Sequence, residues 1–315
     1  MTGAADPDKL HLLRSSPFFV LHASLLLPIW VGVSPAAIAA CVALYYVKMF
    51  GITAAYHRYL AHASFKTGRL FQFVLVWTGA MSMQKGPLWW ASLHRHHHAH
   101  SDQDGDIHSP LRRGFWWAHA GWILCTRHDE TIWRLIRPFD KFPELVWLNR
   151  YHTVPGLVLG AQTFLLGTML ERYAPQLGTN GLQMMVWGFL ISTILTYHGT
   201  FAINSLAHVY GSVRYPTGDG SRNNFWLALL TCGEGWHNNH HHYPSSSRMG
   251  FRWWEVDFTH WVLRAFAAAG LVWDLKTPPR HVIYPDLRIH SSSAAATPSE
   301  DGTPSRAFTS TRHGR

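Results

Sequence analysis

"PFFVLHASLLLPIWVGVSPAAIAACVALYYVKMFGITAAYH" runs from Pro17 to His57. Lys48 is its only lysine, and it contains no Arg, Asp or Glu. A helix needs about 20 residues to cross the hydrocarbon core of a bilayer. This stretch holds two such helices, with Gly32-Val33-Ser34-Pro35 as the turn. A second pair follows: "TVPGLVLGAQTFLLGTML" (Thr153–Leu170) and "MMVWGFLISTILTYHGTFA" (Met184–Ala202), separated by the polar "ERYAPQLGTNGLQ". The pattern predicts an all-α integral membrane protein with four spans in two hairpins, at about 18–33, 35–55, 153–171 and 184–203. The apolar run Leu70–Met83 is too short to span and reads as an interfacial or core helix.

Two hairpins put both termini and the middle segment on one side. The segment Arg58–Arg150 carries twelve Lys and Arg and the chain from Arg214 onward eleven, whereas the loop after the first span has none and the loop after the third only Arg172. Positive charge collects on the cytoplasmic side, so the termini and a helical cap between and after the hairpins are expected there. The rest of the composition agrees: of 315 residues, 47% are hydrophobic and only 14% charged, with 16 Trp. The net charge of +9 accompanies no nucleic-acid-binding motif and suits an anionic membrane face or an acidic partner. Cys41, Cys125 and Cys232 stand far apart, which excludes a disulfide framework and a thiolate metal site. No signal-peptide pattern precedes the first span. Residues 281–315, rich in Ser, Thr, Ala, Pro and Gly, are expected to be a disordered tail after a single domain covering 1–280.

The chain has 23 His, and many fall in four motifs outside the apolar spans. "HRYLAH" supplies His57 and His62, "HRHHHAH" His94, His97 and His98, "NSLAH" Asn204 and His208, and "HNNHHH" His237, His240 and His241. Residues at i, i+3 and i+4 share a helix face, so the second and fourth motifs can each aim three imidazoles at one point. His96 and His242 lie off that pattern. His57 and His62 are five apart, which suggests a helix end. Nine imidazoles and one amide exceed the about four to six ligands of one metal, so two metals are implied. There is no HExxH for a hydrolytic zinc site, and a single ExxH, Glu234 to His237, where soluble carboxylate di-iron proteins use two. Neutral nitrogen ligands in a membrane enzyme favour iron and O2 chemistry. Outside the motifs, His11, His22, His119, His128, His152, His198 and His260 read as ordinary packing or surface residues. Gly233 and Gly235 would let the chain turn into the fourth motif, and Glu234 is a candidate to orient a ligand histidine through its other ring nitrogen.

The combination "HRYLAH", "HRHHH", "NSLAH" and "GEGWHNNHH", with "RRGFWWAHAGWIL" and "FRWWEVDFTHWVLRAFAAAGLVWD", resembles the membrane fatty acid desaturase family, nearest its stearoyl-CoA (delta-9) branch, over roughly residues 17–279. The resemblance implies a di-iron centre. One iron is held by His57, His62, His94, His98 and His240, the other by His97, His208, His237 and His241, with Asn204 acting through water. It also implies a reaction: O2 and external electrons remove hydrogen from two neighbouring methylenes of a saturated acyl chain on CoA or a membrane lipid. The products are a cis double bond and two waters. Animal acyl-CoA members place an Arg-Asp pair where this chain has Ser92 and Leu93, a departure that weakens the case for CoA and raises that for a lipid-linked substrate. Arg112, Arg113 and Arg127 are candidate contacts for a phosphate-bearing head group. No HPGG haem signature occurs, so electrons are expected from a separate ferredoxin, rubredoxin or cytochrome b5-type donor with its reductase. A bacterial cytoplasmic membrane is the expected location. The competing readings are a membrane di-iron hydroxylase or ketolase and, from another class, a non-enzymatic membrane metal-binding protein or transporter.

Overall fold

Residues 6–284 are described by a computed structural model of the chain. Among them, four helices are long and apolar enough to cross a membrane: Leu12–Val31, Pro35–Ala61, Val154–Tyr173 and Gly181–His208. Among the described residues, those up to Pro278 form one compact unit. Arg280–Ile283 makes a single helical turn, and the remainder of the expected tail, 285–315, lies outside the described residues.

The first span starts six residues before the expected 18, because Pro17 sits inside the helix Leu12–Ala23 rather than at its start. Proline cannot bond the carbonyl four residues back. Here Ser16 Oγ takes over that carbonyl, on Leu13, at 2.8 Å. Pro28 imposes a real break: the span tightens to a 3-10 turn at Ser24–Leu26 before the helix Pro28–Val31. The turn falls where the sequence puts it. Gly32 has φ +69°, and Ser34 caps the second span by accepting from Ala37 N at 3.1 Å. The same Ser34 donates to Gln183 Oε1 at 2.6 Å, so the turn of the first hairpin is pinned to the start of the fourth span.

The second and fourth spans are not α-helical throughout. Ile52–Ala61 and Val186–Ile191 are π-helical, with hydrogen bonds to the fifth residue back. This explains the five-residue spacing of the first motif. In a π-helix residues i and i+5 lie nearly one above the other, and His62 N bonds His57 O at 3.1 Å. The fourth span ends in a 3-10 turn, Leu206–His208, which delivers His208.

Between the hairpins the chain forms Arg69–Ala80, the short helix expected at Leu70–Met83, and Pro87–His100, which carries the second motif. Arg69–Ala80 buries Leu75 and Val76 and exposes Leu70 and Val74, so it is a core helix with one open face. Tyr56, Leu60, Leu88, Leu145, Leu148 and Leu263 complete this core. A two-residue antiparallel pair, Lys66–Thr67 with Val272–Trp273, ties the middle segment to the C-terminal part of the cap.

The arginines that follow a histidine in the first two motifs act as clamps. Arg95 donates to Ala61 O at 2.8 Å, Leu60 O at 2.7 Å and Leu135 O at 2.7 Å. It thereby closes the open carbonyl end of the π-helix. Arg58, 1% exposed, donates to Ser247 O at 2.7 Å, Asp257 Oδ1 at 2.9 Å and Glu234 Oε1 at 3.1 Å.

The close approach of the second span to Arg69–Ala80 depends on Gly51. A Cβ there would stand 2.5 Å from Gly79 N and 2.6 Å from Thr78 C, both backbone atoms. Gly51→Val is therefore expected to overpack this seam and cost about 1–3 kcal/mol. The cost should appear as a lowered thermal midpoint of the detergent-solubilised protein.

Candidate metal centre

Four separate elements bring nine imidazoles together at the end of the second and fourth spans. The second motif works as its spacing predicts, because Pro87–His100 is one continuous helix begun by Pro87 in its first turn. The fourth motif sits on a helix of six residues, His237–His242, too short to hold itself together. Its two asparagines do that work. Asn238 Oδ1 accepts from the backbone N–H groups of Arg214 and Tyr215, each at 2.8 Å. Asn239 Nδ2 donates to Glu255 Oε2 and Met249 O, each at 2.9 Å. Gly233, at φ +115°, makes the turn into this helix in a conformation that L side chains rarely adopt.

The imidazoles fall into two groups. His57, His62, His94, His98 and His240 form one, and His97, His208, His237 and His241 the other; within each group the candidate ligand nitrogens lie within 4.8 Å of one another. In the first, Nε2 of His57 is 3.1 Å from Nε2 of His240, Nε2 of His62 is 2.9 Å from that of His94, and Nε2 of His98 is 3.0 Å from that of His240. In the second, Nε2 atoms of His208 and His241 each lie 3.1 Å from Nε2 of His237. Asn204 stands where both groups meet the cavities, lining the same small pocket as His57, His94, His97 and His237.

The outward nitrogens face carboxylates. His97 Nδ1 meets Asp106 at 2.9 Å, His208 Nδ1 meets Asp102 at 2.8 Å, and His241 Nδ1 meets Asp219 at 2.6 Å. His57 Nδ1 lies 2.5 Å from Glu234 Oε2, so Glu234 does stand behind a motif histidine, bridging it to Arg58. Asp102, Asp106 and Asp219 are not singled out by the sequence. Their signal is faint: "SDQDGD" directly after the second motif and "TGDGS" before the fourth. Nor is His108, which is buried with its ring 4.3 Å from that of His97. A third group, His97, Asp106 and His108, shares His97 with the second.

The electrostatics favour neutral imidazoles. Burial, reinforced by the neighbouring rings, holds His62, His94, His98, His237 and His240 well below the ordinary 6.5. His241 is pulled down to about 4 by burial, against the opposing pull of Asp219. Burial alone would raise Asp102, but the hydrogen bond and charge of His208, with hydrogen bonds from Ser109 and Gly220, together outweigh it and hold Asp102 at about 2. Asp106 and Asp219 are likewise held below the usual carboxylate range, through His97 and His241, against burial.

These facts test whether a cation fits. A neutral imidazole has one N–H. Where the carboxylate takes it at Nδ1, as in His97, His208 and His241, Nε2 presents a lone pair. His97 Nε2 is buried with no hydrogen-bond partner among the described residues. The lone pairs of His208 and His241 both point at His237 Nε2, whose single proton can serve only one. Buried lone pairs facing one another are costly, and a cation resolves the conflict. The carboxylates behind them fix the tautomer and raise ligand basicity.

The remaining candidates lie elsewhere. Arg127 pairs with Asp8 (Nη2 to Oδ2, 2.9 Å). Arg113 reaches Asp8 at 3.4 Å and stacks on Trp117, and Arg112 pairs with Asp104 at 3.4 Å. None of the three lines the large cavity beside the metal centre. The cations that do are Arg14, Lys85 and Arg150. Arg14 and Lys85 share Asp129, and burial, then Arg14, pulls Lys85 down to about 8. Ser92, where the charged pair of the animal members begins, donates to Trp89 O at 2.8 Å and accepts from Ile132 N at 3.1 Å, both packing roles. His22, His119 and His198, unrelated in sequence, form a hydrogen-bonded row at 3.1 and 3.0 Å, ending on Ser205 at 2.9 Å.

The model of the fatty acid desaturase family matches residues 33–276. The chain belongs to the fatty acid desaturase family. It is 35% identical over 243 residues to the sn-1 stearoyl-lipid 9-desaturase of Anabaena variabilis, covering 76% of this chain and 84% of that protein. It is 33% identical over 288 residues to the sn-2 palmitoyl-lipid 9-desaturase of Nostoc sp. (strain 36), covering 88% and 96%. It is 36% identical over 248 residues to the chloroplastic palmitoyl-monogalactosyldiacylglycerol delta-7 desaturase of Arabidopsis thaliana, covering 77% of this chain but only 62% of that longer protein.

Two outcomes follow for this desaturase. Replacing Asp219 by Asn removes the negative charge behind His241 while keeping the side-chain volume. Metal affinity is expected to fall about 10–100-fold, measured as metal retained after dialysis against a graded chelator. For the metal-free protein, His241 titrates at about 4 when folded against an ordinary 6.5. Between those values the unfolded chain binds protons that the folded chain refuses. Stability should therefore fall as pH drops from 6.5 through 4, as denaturation midpoints across that window would show.

Proposed function

We propose that this chain is an O2-dependent acyl desaturase. On this reading it inserts a cis double bond, at the delta-9 position, into a saturated acyl chain carried on a membrane lipid or on CoA. The observation that carries the reading is a cavity of about 1010 Å³ that runs beside the imidazole clusters, with His94 and Asn204 in its wall. It extends along the first span from Arg14 to Leu27 and along the fourth from Asn204 to Phe189. The fifteen steps of helix rise from Phe189 to Asn204 amount to about 22 Å at 1.5 Å each, a length suited to an acyl tail. Apolar and aromatic side chains make most of the wall, and Arg14, Lys85 and Arg150 form a charged end suited to an anionic head group. A mid-chain methylene offers no polar handle, so selection must come from holding the chain in one place.

Two iron ions are the proposed occupants. His57, His62, His94, His98 and His240 would hold one and His97, His208, His237 and His241 the other, with Asn204 acting through water. All-imidazole donors suit iron, as they suit zinc and copper; family membership favours iron. When bound, the pair supplies O2 activation with electrons from outside the chain. The balance is one CH2–CH2 unit, O2, two electrons and two protons giving CH=CH and two waters. The protein's own residues hold the chain, exclude water and orient the ligand imidazoles. Asp102, Asp106, Asp219 and Glu234 are positioning residues.

The match over residues 33–276 supports reading 1–280 as one desaturase domain. The relatives named above act, by their names, on lipid-linked chains, which together with Ser92 and Leu93 favours a lipid carrier. The bias of Lys and Arg supports a metal centre and termini facing the cytoplasm of a bacterial cell. A separate ferredoxin, rubredoxin or cytochrome b5-type protein, with its reductase, would supply electrons at that basic face.

The test is fatty-acid analysis by gas chromatography–mass spectrometry of a desaturase-deficient host expressing the chain, beside a His240→Ala control. A new monoenoic acid present with the native chain and absent from the control is the expected result. A hydroxy acid in its place would make the chain a hydroxylase.

A further inference from the structure

Lys48 lies in the second span and is 0% exposed. No carboxylate pairs with it among the described residues. Ionisable residues inside a span are expensive and usually serve a function. Its ammonium is fully occupied: Nζ donates to Ser192 Oγ at 2.7 Å and Thr193 Oγ1 at 2.8 Å and approaches Phe189 O at 3.5 Å. All three acceptors belong to the fourth span, at and just after its π-helical turn Val186–Ile191.

That turn has a second face. Phe189 and Leu190 line the large cavity, opposite Leu27 of the first span. They are the cavity-lining residues of the fourth span farthest along it from Asn204. The Phe189 ring is also fixed from behind: a Cβ on Gly160 of the third span would stand 2.9 Å from it. A widened turn leaves carbonyls less well bonded than an α-helix does, and here Phe189 O also receives Thr193 Oγ1 at 2.6 Å and Ser192 Oγ at 3.2 Å. Lys48 thus closes a polar knot in an apolar setting, on the reverse side of the cavity's deep end.

We propose that Lys48 is a specificity-determining positioning residue: it clamps the π-turn of the fourth span so that Phe189 and Leu190 form the floor of the acyl cavity and set the chain length accepted. The inference rests on the desaturase reading above. Lys48 touches neither substrate nor metal; it acts through Phe189.

The test uses full-length Lys48→Met, which keeps most of the length of the side chain and removes its donors. The enzyme is expressed in the desaturase-deficient host, and the ratio of stearoyl- to palmitoyl-derived monoenes is measured beside iron content. The expected result is a shift of that ratio toward the longer chain by about tenfold, within the range one methylene is worth in an apolar pocket. Iron content should stay native. Phe189→Ala, which lowers the floor directly, should shift the ratio the same way. An unchanged ratio with a lower yield of enzyme would make Lys48 a structural residue only and overturn the proposal. Should Lys48→Met fail to accumulate, Thr193→Val removes one acceptor and is measured by the same ratio: a shift toward the longer chain supports the clamp, and an unchanged ratio overturns it. A native chain that forms no monoene at all would overturn the desaturase reading and this proposal with it.

Discussion

Nine imidazoles in two groups, eight of them with Nε2 atoms near 3 Å from another ring's Nε2, form the constraint on which the rest of the cap depends. Burial holds His62, His94, His98, His237, His240 and His241 below the ordinary 6.5, and a neutral ring has one proton to give. Carboxylates at Asp102, Asp106 and Asp219 accept at the outer nitrogens, leaving lone pairs facing inward. Such a cluster is unfavourable by itself and is held open by what surrounds it. Arg58 and Arg95 clamp the π-helical end of the second span to the cap, and the paired asparagines of the fourth motif hold a six-residue helix that could not persist alone. Much of the polar chemistry of the cap is thus spent on keeping four short arms at one point.

The spans and the principal cluster are legible from the chain. Apolar length marks the four spans, and spacing on one helix face singles out His94, His97 and His98 as well as His237, His240 and His241. What stays hidden depends on contacts between distant segments. Asp102 and Asp219 read as loop residues, because nothing local to "SDQDGD" or "TGDGS" says that the loops fold back onto His208 and His241. The surroundings of Arg112, Arg113 and Arg127 are hidden for the same reason. Three cations near the second motif draw attention, yet Asp8 and Asp104 engage them, while Arg14 and Lys85, far apart in sequence, meet Asp129 at the cavity.

Local chemistry also misleads at single residues. Pro17 looks like a helix start, and its cost inside the helix is offset by one hydroxyl, Ser16. His22, His119 and His198 each read as ordinary, and individually each is; only the packing of the first span, the fourth span and the cap helix Phe115–His119 lines them up. A sequence shows what a residue could bond, whereas the partner is chosen by the fold.

The two π-helical segments show how one backbone device serves two ends of the same cavity. At Ile52–Ala61 the wider turn brings residues five apart onto one face, which lets a single helix present both His57 and His62 to the same cluster. An α-helix would rotate His62 well away from His57, by roughly 500° at about 100° per residue. At Val186–Ile191 the wider turn exposes a carbonyl and aims Phe189 and Leu190 into the cavity. In both places the loosened backbone is tied by a cation from elsewhere: half-buried Arg95 on the carbonyls of Leu60 and Ala61, buried Lys48 beside the carbonyl of Phe189. A π-turn is less stable than the α-turn it replaces, so without such a tie each segment would be free to rewind. Rewinding the first would pull one histidine from the cluster, and rewinding the second would rotate the cavity floor. On the proposed reading, the two cations therefore hold the metal end and the tail end of one acyl site in register.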